Sequence, residues 1–250
     1  PMTLSTMIAL VNNAALVLAL GLLYDVMGIR RRGGGPTTQQ LLTGLILGAI
    51  GMAIMLNPWE FGHGVRFDTR SVLLAISGLF FGTLPTALAM GMTAAFRLAM
   101  GGAGVWSGLA VIVTSGGIGL AWRYLRRPDQ PEPAAGELYL LGLSVHAVML
   151  LCMLLMPWAT ARAVLASIGL PVMLIHPVAA MALGLLLVNQ EKRNSFQGAL
   201  AESEALYRNL FMNHAAIKLI IDPESGRIVE ANRAAEAFYG WSVSQLETMR

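Results

Sequence analysis

The stretch Arg70-SVLLAISGLFFGTLPTALAMGMTAAF-Arg97 decides the fold, because the 26 residues between the two arginines contain no Asp, Glu, Lys or Arg. Counting inward from each arginine meets between Thr83 and Leu84, inside the breaker-rich tetrapeptide Gly82-Thr83-Leu84-Pro85. A bend there predicts a helical hairpin whose arms of about thirteen residues each reach roughly 20 Å. The two guanidinium groups then lie side by side at one membrane depth. A charge inside a membrane segment is costly enough to mark a functional site until a partner is found. In sequence, Asp68 is the only carboxylate close to either arginine.

Two planar guanidinium forks suit a carboxylate or a phosphate, each taking two parallel hydrogen bonds. A small carboxylate is the economical expectation. Asp68 is placed to cap a helix starting at Thr69, which surrounds Arg70 with unpaired backbone N–H groups and the positive end of the helix dipole. Arg97 lies four residues before Gly101-Gly102, which predicts its helix end. The structural alternative is that Arg97 compensates the carbonyl end of its helix, while Arg70 pairs with Asp68 or snorkels to headgroups. Thr93, one turn from Arg97, and Ser107, Thr114 and Ser115 beyond it are candidate polar neighbours. Their hydroxyls could equally bond their own helix backbone.

Uncharged runs recur at residues 1–24, 33–59, 71–96, 98–122, 138–161 and 163–190, each able to supply the roughly 20 apolar residues that span a bilayer. The chain therefore reads as an all-α polytopic membrane bundle of about six or seven helical segments. Seven of the seventeen Lys+Arg and eight of the fourteen Asp+Glu lie after Asn189, so a soluble module begins there. The membrane part carries the positive charge in its flanking arginines, which argues against a nucleic-acid partner. Cys152 is the single cysteine and sits in an apolar run, which leaves no intramolecular disulfide and no thiolate metal cluster.

Basic residues mark cytoplasmic loops. Arg30-Arg31-Arg32, then Arg123, Arg126 and Arg127, then Lys192 and Arg193 give three such anchors. The first segment (about 3–27) then runs inward from an outside N-terminus. It lacks the basic start of a signal peptide and reads as a transmembrane helix. The second (about 39–56) returns, Asn57 to Gly64 is an outer loop, and 69–102 is a hairpin with both ends outward. Segments at about 104–123, 138–156 and 163–189 complete the bundle, with Pro157-Trp158 an outer turn. Glycines from Gly78 to Gly119 permit close helix approach. His146 and His176 lack metal-site spacing and read as packed or interhelical hydrogen-bonding groups. Asn12 and Asn13 read as helix–helix contacts, and Pro177 as a kink.

Phe67-Asp68-Thr69-Arg70, the run Ser77 to Pro85, and Phe96-Arg97-Leu98-Ala99-Met100-Gly101-Gly102, in that order, resemble the LytS-type five-transmembrane sensor domain of bacterial receptors. The resemblance covers about residues 40 to 190, with the first segment a less typical addition. It implies a sensor ahead of cytoplasmic signalling modules, including histidine kinases and diguanylate cyclases. Some members sense pyruvate or a related carboxylate through the Asp-x-Arg and Arg-x-x-x-Gly-Gly arginines, which are Arg70 and Arg97 here. Pyruvate receptors also carry small polar groups on the following helix, where this chain has mostly glycines and apolar residues. The fold is also similar to substrate-binding subunits of vitamin transporters.

Phe196, Leu200, Ser203, Tyr207 and Leu210 follow 4-3-4-3 spacing, a short seam suited to a parallel homodimer. Residues 191–206 thus read as a signalling and dimerisation helix. Ala216 to Asp222 alternates like a strand, Pro223 to Gly226 reads as a turn, and Arg227 to Ala231 as the partner strand. With Asn232 and Tyr239-Gly240-Trp241-Ser242, this resembles the start of a PAS domain over 207–250. The chain stops before the half that usually completes such a domain, so a longer receptor is expected. Its cofactor is unknown, and none is expected in the membrane domain.

The expected organisation is thus a sensor over 1–190, a linking helix, and a partial α+β PAS module. The expected function is a multi-pass receptor of the bacterial plasma membrane, binding a small carboxylate from outside and acting on a downstream output domain or response regulator. A transporter subunit for a vitamin or similar solute is the alternative, against which the PAS-like tail argues. No His-Glu-x-x-His helix, Gly-x-Ser-x-Gly elbow or Walker loop supports a catalytic site.

Overall fold

The computed structural model describes residues 36–56, 58–62, 65–126 and 132–249. The first segment, its Asn12 and Asn13, Arg30-Arg31-Arg32, and Arg127 of the second basic loop lie outside the described residues. Two compact units are present, 1–190 and 191–250.

Unit one opens with α1 (Pro36–Met55), followed by a short antiparallel ribbon of β1 (Trp59–Gly62) and β2 (Val65–Phe67). The ribbon pairs Trp59 with Phe67 and Glu60 with Arg66, where sequence suggested only a loop. Then come α2 (Arg70–Phe81), α3 (Thr83–Met100), α4 (Val105–Leu125), α5 (Ala135–Cys152), a 3-10 turn (Met153–Leu155) and α6 (Trp158–Met212). Helix α6 starts earlier than expected and runs on well past residue 189. Helices α1, α4, α5 with its 3-10 turn, and α6 are long and apolar enough to cross a membrane, and α2 is a shorter apolar helix.

The predicted hairpin is present as α2 and α3, but its bend is Gly82 alone, at φ 82°. Only glycine enters that region without strain. Pro85 falls in the first turn of α3, where its missing N–H costs no helical bond. Because the bend precedes Thr83, the arms from it to the two arginines are unequal, twelve residues on one side and fifteen on the other. The sequence expectation of equal arms is therefore corrected.

Glycines determine how closely the helices approach. A Cβ on Gly119 of α4 would lie 2.0 Å from the Ala75 carbonyl oxygen, and one on Gly78 of α2 would lie 2.6 Å from Leu120 N. Helices α2 and α4 thus touch backbone to backbone, the small-residue mode of membrane packing. On α1, Gly44, Gly48 and Gly51 form a stripe at helical spacing that receives Leu88, Met92 and Thr93 of α3. Gly142 of α5 meets Pro177 of α6 in the same way. Ile54, Val72, Leu74, Ile76, Ile112 and Leu141 fill the space between as one core. Trp106, Leu140, Leu170 and Leu174 point outward and are exposed.

Unit two contains β3 (Leu219–Ile221) and β4 (Ile228–Ala231), an antiparallel pair, then α7 (Arg233–Tyr239) and α8 (Val243–Leu246). Both strands are shorter than the alternation suggested. Asn232 is fully buried and organises the unit. Its Oδ1 accepts from Lys218 N and Ala235 N at 3.0 Å each, and its Nδ2 donates to the Ala216 carbonyl at 2.8 Å. One side chain therefore caps α7 and fastens the approach to β3. In the turn between the strands, Asp222 accepts from the Ser225 hydroxyl and then from Glu224 N, which holds its carboxyl below the usual range.

Candidate functional site: two arginines at one glycine

Helix α2 begins at Arg70, one residue later than expected, so Asp68 stands two residues before the helix and not at its cap. It still serves the first turn. Asp68 Oδ1 accepts from Arg70 N at 3.0 Å, and Oδ2 accepts from Arg70 Nη1 at 2.9 Å. Both side chains are buried, so this ion pair is shielded from water. Arg97, in the last turn of α3, donates from Nη1 to the Gly101 carbonyl at 3.0 Å. Gly101 takes φ 63° and ends the helix. Each arginine therefore has the local partner that a purely structural role requires.

The structure adds a convergence. Gly108, in the first turn of α4, sits between the two side chains. A Cβ there would lie 2.7 Å from Arg97 Nε and 3.1 Å from Arg70 Nη2. The two nitrogens are thus no further apart than the sum of these distances, close enough for both to bond one carboxylate or phosphate. Unequal arms do not prevent the meeting, because both side chains are long. Arg70 Nε is buried without a hydrogen-bond partner, and an unmet buried donor invites an explanation such as a water or an anion.

Beside Arg70 lies a cavity of about 20 Å³, lined by Phe67, Asp68, Arg70, Gly104, Ser107, Gly108, Val111, Met149 and Met153. That is space for about one water molecule. A three-carbon acid would need the cleft to widen, and the two unbranched methionines can change rotamer readily.

Of the expected site residues, Arg70, Arg97, Asp68 and Ser107 come together. Ser107 lines the cavity and donates to the Gly104 carbonyl at 3.0 Å. Thr93 does not join them. Its hydroxyl donates to the Ala89 carbonyl at 2.7 Å, and its methyl packs on Gly51 of α1. Thr114 likewise bonds its own helix at Ala110. Ser115 is buried with its hydroxyl unbonded.

Gly104, Gly108 and Val111 join the site because 104, 107, 108 and 111 share one face of a helix. That spacing was readable in sequence. Met149 and Met153 carried no such signal. Among the described residues, no group of three His, Cys, Asp or Glu side chains comes together as a metal site.

The opposite end of the hairpin fixes its extent along α4. Arg123 Nη1 donates to the carbonyls of Leu79 at 2.9 Å and Phe80 at 3.2 Å, and the Thr83 and Tyr124 hydroxyls are 2.7 Å apart. The bend therefore lies against the last turn of α4, while the arginine pair lies against its first. Arg123 lies fifteen positions after Gly108 on α4, or about 22 Å along the helix. The hairpin thus runs most of the length of α4.

A comparison with curated proteins found no match, and neither did one with solved structures. The family model described as the 5TMR of 5TMR-LYT matches residues 22–190, well over half of the chain. This chain belongs to the 5TMR-LYT family and carries a multi-pass, LytS-type membrane sensor domain.

Proposed function

We propose that the sensor domain binds one small carboxylate, with pyruvate the leading candidate, between Arg70 and Arg97. The observation that carries this reading is the meeting of two buried guanidinium groups at Gly108 beside a cavity lined by both polar and apolar side chains. Asp68 holds the Arg70 fork in place, and the Gly101 carbonyl holds Arg97. A preset pair of forks gains two charge-assisted hydrogen bonds without first ordering long side chains.

The small cavity has a mechanistic consequence under this reading. A ligand can shift a conformational equilibrium only if it binds one state better than the other. Pyruvate fits only a widened cleft, so its binding favours the state in which Met149, Met153 and the hairpin have moved apart. Helix α6 carries that change to the PAS-like unit, and from there to an output module such as a histidine kinase or diguanylate cyclase. Phe196, Leu200, Tyr207 and Leu210 are exposed along α6, and a second copy in parallel would cover that seam. Leu200→Asp should then weaken crosslinking between protomers, and unchanged crosslinking rejects the dimer.

The orientation proposed is N-terminus outside, C-terminus cytoplasmic, with ligand entry from outside. In a Cys152→Ala background, an impermeant thiol reagent added outside should label Gly62→Cys. Protection of that site would reverse the orientation.

Calorimetric titration of the purified protein with pyruvate, lactate, acetate and an uncharged amide of pyruvate tests the ligand class. Binding of the acids and not the amide is expected. Equal binding of the amide rejects an arginine-held carboxylate.

A further inference from the structure

Three polar side chains from three helices meet just behind the arginine site. Ser71 follows Arg70 on α2 and is 1% exposed, His146 on α5 is 0% exposed and His176 on α6 is 1% exposed. His146 Nδ1 is 2.7 Å from the Gly142 carbonyl, which can only accept, so Nδ1 carries the hydrogen. In the neutral ring, Nε2 is then a lone pair. It accepts from the Ser71 hydroxyl at 3.1 Å. The Gly142 carbonyl therefore fixes the tautomer of His146, and the Ser71 hydroxyl holds the Nε2 edge of its ring.

The His146 ring in turn stands 4.7 Å from that of His176, at 77°. Both nitrogens of His176 are buried without a hydrogen-bond partner. An imidazole so placed depends on the orientation of the neighbouring aromatic ring for what favourable electrostatics it has. It also sits at a weak point of its helix. Residue 177 is proline, which has no N–H to offer the Met173 carbonyl and so removes one bond from that turn of α6. The helices are in contact here, with the Pro177 Cα 2.7 Å from where a Cβ of Gly142 would stand.

We propose that Ser71, His146 and His176 form a coupling element that ties the start of α2 to the proline turn of α6, with His146 and His176 acting as positioning residues. The role in signalling rests on the anion reading above, since Ser71 moves with Arg70. When the start of α2 shifts, Ser71 no longer holds the Nε2 edge of His146, the edge-to-face contact with His176 changes, and α6 rearranges at its Pro177 turn. This gives a role to two buried histidines that do not line the cavity and belong to no group of three His, Cys, Asp or Glu side chains among the described residues.

The test is NMR of the full chain in lipid nanodiscs with ¹⁵N-labelled histidine, the four histidines being assigned by substitution. Removal of the hydroxyl by Ser71→Ala should shift the side-chain resonances of both His146 and His176, and Ser71→Thr should return both towards their original positions. A shift at His146 alone overturns the proposal. Pyruvate is the probe in the second arm, with calorimetry run on the same samples. Its addition should move the His176 resonance along the binding curve. Pyruvate binding with His176 unmoved overturns the coupling and leaves the anion site standing. Absence of pyruvate binding, with the Ser71→Ala shift at His176 intact, supports the coupling element and rejects pyruvate as ligand.

Discussion

The two ends of the α2–α3 hairpin both use arginine, and they use it in opposite ways. At the bend, Arg123 is exposed and donates to the carbonyls of Leu79 and Phe80, which close the C-terminal end of α2. It compensates the negative end of a helix dipole and satisfies carbonyls left over by the turn. At the open end, Arg70 and Arg97 are buried and meet at a glycine, and Arg70 borders a cavity. One arginine finishes a helix. The other two converge on Gly108, and residue type alone does not tell the roles apart.

The largest effect should come from separating the hairpin from α4. Gly119→Ala puts a Cβ 2.0 Å from the Ala75 carbonyl oxygen, against backbone that cannot rotate away. Loss of most folded protein is expected, read by size-exclusion chromatography in detergent. Normal yield would show that α2 and α4 do not meet so closely.

Next come the arginines themselves. Arg70→Ala leaves Asp68 as a buried carboxylate without its ion partner, a change that costs about 3–5 kcal/mol. Asp68→Asn added to it should recover part of the lost thermal stability. Arg123→Ala removes an exposed donor and should lower the melting temperature far less, with pyruvate affinity kept within about threefold, since it touches only surface carbonyl bonding. Equal losses at the two ends would erase the contrast between them.

A smaller effect separates two glycines of α4. Gly108→Ala forces the Arg97 side chain aside by its 2.7 Å contact, whereas Gly117 has open space where a Cβ would go. Losing one charge-assisted hydrogen bond of about 1.5 kcal/mol corresponds to roughly tenfold weaker pyruvate binding for Gly108→Ala. Gly117→Ala should bind as the parent does. If Gly108→Ala also binds unchanged, the arginines do not depend on that approach.

What was legible in the sequence follows from which forces act locally. The hairpin was visible because charge exclusion and a glycine–proline cluster are both local marks of buried helix and bend. Its arms were misjudged because Thr83 and Leu84 continue α3, and only Gly82 has the left-handed backbone. The ribbon at 59–67 had an alternation, Trp59-Glu60-Phe61 and Val65-Arg66-Phe67, too short to outweigh the loop signals around it. Arg70, Arg97 and Asp68 were readable as costly charges next to an apolar run.

Thr93 was readable as a polar residue near Arg97, but helix rotation turned it to α1, and no local pattern fixes that rotation. His146 and His176 lie thirty residues apart in sequence. Their contact depends on Gly142 letting α5 and α6 close together, a tertiary event that spacing within either helix does not encode.

The central claim, that Arg70 and Arg97 hold the same anion, is tested most directly by a double-mutant cycle on pyruvate affinity. Charge-assisted bonds are worth about 1.5–3 kcal/mol each, so Arg70→Ala and Arg97→Ala should each weaken binding by about one to two decades. Groups that share one ligand are coupled, and the double variant should therefore lose clearly less than the sum of the two single losses. Strictly additive losses, or a double variant that still binds pyruvate like the parent, would contradict a single shared site.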